Sequence, residues 1–70
     1  MITMKIADLY RKFDRSGFDG DPITNAELDE LLRINQEMVA LMEWRGDSTM
    51  AASFRATGES IRRMIEARKL

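Results

Sequence analysis

Apolar residues recur at helical spacing in three stretches of this chain, and the polar residues between them carry the signals that start and stop helices. In the longest run, Leu28, Leu31, Leu32, Met38, Val39 and Met42 form one stripe, which Ile34 and Leu41 widen beyond what a single partner helix covers. A second contact for that face is therefore expected. The run opens with a capping box, in which Thr24 and Glu27 each satisfy the other's free backbone N–H, and Ile23 and Leu28 occupy the positions of a hydrophobic staple behind Pro22. It ends at Gly46, placed to adopt a left-handed conformation, after which Asp47 or Ser48 can cap the next helix. A turn as short as Arg45-Gly46-Asp47-Ser48 makes the helices it joins antiparallel neighbours.

The second long run puts Met50, Phe54, Thr57 or Gly58, Ile61, Met64 and Ile65 on its inner face, while Arg55, Glu59, Arg62, Glu66 and Lys69 alternate in sign along the outer one. Ala52, Ala56 and Ser60 follow at four-residue steps, which reflects either ordinary helix propensity or the close approach of another backbone. Ahead of the hairpin, Ile2, Ile6, Leu9, Tyr10 and Phe13 share a stripe that Thr3 can cap, predicting a short helix laid on the widened face of the first long one. The expectation is an all-α chain of one domain: an N-terminal helix over 1–13, an acidic loop over 14–23, and an antiparallel hairpin with helices over 24–45 and 48–69.

Composition limits what such a chain can do. Seventy residues, 44% of them hydrophobic, bury a thin core, and domains of this size usually draw further stability from disulfides, metals or oligomerisation. There is no cysteine and no histidine, which removes disulfides, zinc fingers, thiol chemistry and histidine acid–base catalysis together. Self-association is then the expected support, through the face widened by Ile34 and Leu41 and joined by Ala52, Ala56 and Ser60. The six methionines suit an adaptable contact surface, and they also suit gap-filling in a small core. No stretch approaches the roughly 18 apolar residues of a membrane span and no secretory signal opens the chain, so it reads as cytoplasmic. A net charge of -1 argues against duplex DNA as a partner. The charge is nonetheless uneven, with basic ends about an acidic middle, which suits complementary subunits or the gathering of an anionic ligand near the ends.

Candidate chemistry is sparse. Asp14, Asp19 and Asp21 fall in the loop with no evident means of shifting their pKa values, so no carboxylate pair is poised for acid–base work and no enzyme is expected. The stretch from Phe13 to Leu28 nevertheless resembles an EF-hand, with a helix, an acidic loop, Ile23-Thr24, and Glu27 at the head of the next helix. That resemblance implies calcium held by Asp14, Asp19, Asp21 and Glu27. Asp14 to Glu27 spans fourteen residues, however, where a regular loop has twelve with glycine at the sixth. Phe18 falls on a ligand position whichever end sets the register, and no second hand follows near Gly46 or Gly58. The simpler reading is an Asx- and Gly-rich turn ahead of a capping box, with no cofactor.

The layout as a whole resembles the small phage sponge proteins that counter CBASS and Thoeris immunity. The resemblance rests on Phe13 before the loop, Pro22 leading into the first long helix, Asp47-Ser48 opening the second, and the run from Ser53 to Ile65. It implies a helical hairpin that assembles into symmetric oligomers and sequesters cyclic oligonucleotide or cyclic ADP-ribose signals between subunits, without turnover. Where that family often carries aromatic and asparagine residues near the end of its last helix, this chain has Arg62 and Arg63. An anionic nucleotide needs cations for its phosphates and planar groups for its bases, which makes Tyr10, Arg11 and Lys12 at one end, and Arg55, Arg62 and Arg63 along the last helix, the candidate ligand contacts. A tyrosine on an apolar stripe is more ordinarily core with its hydroxyl at the surface. A hairpin of this length has no evident concavity of its own, so a pocket is expected between subunits. The other function left open is a protein-binding inhibitor or adaptor, docking excess apolar surface on a host protein.

Overall fold

The computed structural model describes residues 6–15 and 23–69. Among them are three helices and no strand: α1 (Ile6–Arg15), α2 (Asn25–Arg45) and α3 (Ser48–Lys69). The all-α expectation holds, and the ends of the long helices follow their local signals. Thr24 is extended (φ -79, ψ 163); its hydroxyl accepts from the Glu27 N–H at 3.1 Å, and its own N–H donates to the Glu27 carboxylate at 2.8 Å. At the far end Gly46 is left-handed with φ 79, the Gly46 N–H donates to Glu43 O at 3.0 Å, and the Asp47 N–H donates to Met42 O at 2.8 Å. These are the two bonds of a Schellman motif, and they satisfy carbonyls that would otherwise be orphaned at the helix end. Asp47 Oδ1 then accepts from the Met50 N–H at 3.1 Å and starts α3 at once.

The short helix departs from expectation. It continues past Phe13 through Asp14 and Arg15, two residues assigned above to the loop, with Lys12 and Arg15 in the last turn, where cations favour the helix dipole. Ile2 and Thr3, like Asp19 and Asp21, lie outside the described residues.

Leu9, Ile23, Leu28, Leu31 and Ile61 form the buried core, and Tyr10, Phe13, Leu32, Ile34, Met64 and Ile65 pack around it. On α3 the expected stripe holds along most of its length, with Gly58 and Ile61 buried and Phe54, Thr57, Met64 and Ile65 half-buried; it fails only at its start, where Met50 is 42% exposed and its neighbour Ala51 is buried instead. Asn35, at the centre of the α2 stripe and only 1% exposed, stands directly against Gly58, where an added Cβ would meet its Nδ2 at 2.8 Å. A glycine inside a helix costs about 1 kcal/mol relative to alanine, and here it allows α3 to approach a buried amide. Asn35 Nδ2 donates to Phe54 O at 2.7 Å, and its Oδ1 accepts from the Tyr10 hydroxyl at 2.6 Å, so one side chain ties all three helices. Elsewhere Arg68 donates to Ile23 O at 2.7 Å and to Asn25 Oδ1 at 2.9 Å, and Arg55 pairs with Glu43. Ala52 and Ala56, the small residues of the expected contact face, are exposed in the single chain. No helix among the described residues is long and apolar enough to cross a membrane.

Candidate ligand-binding groove

Between α2 and α3 lies a groove of about 320 Å³ to which α1 contributes nothing. Its floor is Asn35 and Gly58, both buried, with Leu32 and Val39 as apolar walls. Arg55 and Arg62 stand on its rim because residues seven apart fall two turns along the same side of a helix. Arg55 is held by Glu43 in an exposed ion pair, whereas Arg62 makes no ion pair among the described residues. Glu59 and Gln36 complete the rim, so that with Arg55 engaged by Glu43 the rim charges left are Arg62 and Glu59. The groove thus combines apolar walls with two fork-shaped donor groups, of which Arg62 makes no ion pair among the described residues, and such groups suit a phosphate or carboxylate. A single chain therefore has a concavity of its own, which the sequence did not lead one to expect.

Of the six candidate contacts, only Arg55 and Arg62 meet here. Tyr10 belongs to the core: its hydroxyl is spent on Asn35, its ring centroid lies 6.3 Å from that of Phe54, and burial raises its pKa above the ordinary 10.0. Arg11 pairs with Asp8 at 2.9 Å and Lys12 with Glu27 at 3.1 Å. Arg63 is exposed and lines no part of the groove. The stripe that carries Tyr10 inward also turns its basic neighbours toward nearby carboxylates, and the N-terminal cluster is dispersed.

The calcium residues fare differently. Asp19 and Asp21 lie outside the described residues, and Asp14 is exposed at the end of α1. Glu27 has one carboxylate oxygen on the Thr24 N–H and the other on Lys12 Nζ. The backbone bond from Thr24, and after it Lys12, hold its pKa below the ordinary 4.5. Bidentate binding of calcium would require both bonds to be given up. Among the described residues no three His, Cys, Asp or Glu side chains are grouped to hold a metal.

Three residues that matter structurally escaped the sequence reading. Asn35 sits four residues beyond Leu31 and three beyond Leu32, where the stripe calls for an apolar side chain, and that polar interruption is its visible signal. Arg68 resembled any other cation of the last turn. Trp44, the only tryptophan, is 84% exposed on α2, and Leu41, one turn before it, is 44% exposed. Comparison with protein-family models, with curated proteins and with solved structures found no match for this chain.

Proposed function

We propose that the chain is an antiparallel hairpin of α2 and α3 braced by α1, and that it acts as a non-enzymatic binding protein that sequesters an anionic nucleotide signal in the α2–α3 groove. The observation that carries this reading is the placement of Arg55 and Arg62 on one rim over the floor of Asn35 and Gly58. The hairpin arrangement is supported by the pairing of Ile23 and Asn25 with Arg68, of Asn35 with Phe54, and of Glu43 with Arg55. The resemblance to phage sponges narrows the ligand to cyclic oligonucleotides or cyclic ADP-ribose forms in the cytoplasm of an infected cell. Self-association belongs to the same reading.

Titration calorimetry against cyclic di- and trinucleotides and cyclic ADP-ribose tests it. Binding should weaken with salt, and Arg62→Ala should reduce affinity by at least about tenfold, since a bidentate charge-assisted contact exceeds 1.4 kcal/mol. Arg63→Ala should leave affinity unchanged. No binding across the panel, or equal effects at Arg62 and Arg63, would reject the groove. The exposure of Trp44 and Leu41 favours a second reading, a protein-docking role for the end of the hairpin near the turn.

A further inference from the structure

The exposed face of α2 near the turn has a symmetry of its own. Glu37, Leu41 and Arg45 are successive four-residue steps, and Met38, Leu41 and Trp44 are successive three-residue steps, so all five share one surface of the helix. Centred on Leu41, an apolar side chain stands three residues away on each side, Met38 and Trp44. Four residues away stand opposite charges, Glu37 and Arg45. Leu41 is 44% exposed and Trp44 84%, Met38 is half-buried, and both charged residues are exposed. Arg45 makes no ion pair among the described residues, and the pairing of Glu37 with Arg33 is a solvent-facing one that can be exchanged.

We propose that a second copy of this chain docks on this face, with α2 crossing α2 antiparallel about a two-fold axis at Leu41. Only an antiparallel pairing brings Glu37 of each copy opposite Arg45 of the other and seats Met38 against Trp44, a thioether on an aromatic ring, on both sides of the axis. The charge complementarity lies within this one helix, which is what points to a copy of the chain rather than to an unrelated protein. The inference deepens the self-association named above and rests on no ligand.

Sedimentation over a concentration series, with emission from the single Trp44 recorded in parallel, tests it without nucleotide. Dimer formation should grow with concentration and shift the emission to the blue as Trp44 is covered. Leu41→Lys should leave a monomer with unchanged helical circular dichroism. Glu37→Arg and Arg45→Glu should each weaken the dimer by about tenfold through like charges, and the double swap should restore it. A monomer at every concentration, a dimer that survives Leu41→Lys, or a double swap no better than either single change would overturn the proposal. If dimers form as described but no nucleotide binds, the groove reading alone fails.

Discussion

Replacing Gly58 with alanine should destabilise the protein, although a helix-interior glycine is ordinarily the easiest residue to improve. Alanine gains about 1 kcal/mol of helix propensity. Its Cβ, however, would arrive 2.8 Å from Asn35 Nδ2, and the amide can yield only by leaving Phe54 O at 2.7 Å and the Tyr10 hydroxyl at 2.6 Å. Each bond contributes about 1 kcal/mol net, and an amide that is 1% exposed and loses its partners costs about 1–3 kcal/mol. The loss exceeds the gain, so Gly58→Ala should cost about 1–2 kcal/mol, a fall of about 4–8 °C in Tm per kcal/mol for so small a domain. Asn35→Ala should cost about 2–3 kcal/mol by the same accounting. In that background the Cβ meets nothing, and Gly58→Ala should reverse sign and stabilise by about 1 kcal/mol. Urea denaturation of the four proteins, followed by far-ultraviolet circular dichroism, measures the cycle. If Gly58→Ala raises stability with Asn35 in place, or if the two changes add to within about 0.5 kcal/mol, the close approach does not govern the packing of α3.

Leu31→Ala, at a fully buried site, should cost about 2–5 kcal/mol in the same denaturation assay, while half-buried Phe54→Ala should fall at or below the lower end; a loss under about 1 kcal/mol at Leu31 would mean the core is misassigned. Thr24→Ala removes the acceptor for the Glu27 N–H and should cost about 1 kcal/mol, and thermal melts showing no change would exclude the capping box as a stabilising element. Glu27 is more acidic in the folded chain than its ordinary 4.5, so its contribution to stability is present above that value and is lost as pH falls through the folded pKa. Melting curves taken from neutral pH downward should therefore show a shallower acid decline for Glu27→Gln than for the parent, and parallel curves would contradict the assignment.

Local signals were the most legible part of the chain. Thr24, Glu27, Gly46 and Asp47 act through atoms a few residues away, so their roles follow from sequence spacing alone. The α2 stripe was legible for the same reason, since Leu28, Leu31 and Met42 are buried where periodicity puts them. On α3 the stripe was legible from Phe54 onward and not at its start, where Ala51 rather than Met50 is buried. The fit of Gly58 against Asn35 was not legible either, because it joins residues on two helices and periodicity within one helix does not show it. The candidate site divided on the same line. Arg55 and Arg62 could be placed together by their spacing and Tyr10 turned inward by its stripe, but the partner of the Tyr10 hydroxyl, Asn35, lies 25 residues away and could not be read.

The clamp of Arg68 on Ile23 O and Asn25 Oδ1 changes how the molecule should breathe. The last turn of a terminal helix ordinarily frays on its own, exchanging its amide hydrogens at little free-energy cost. Here that turn is fastened to the entry of α2, 45 residues earlier, so opening either end strips a partner from the other. The amides in the closing turn of α3 should therefore exchange faster in Arg68→Ala than in the parent, and equal rates would show that the clamp does not restrain fraying.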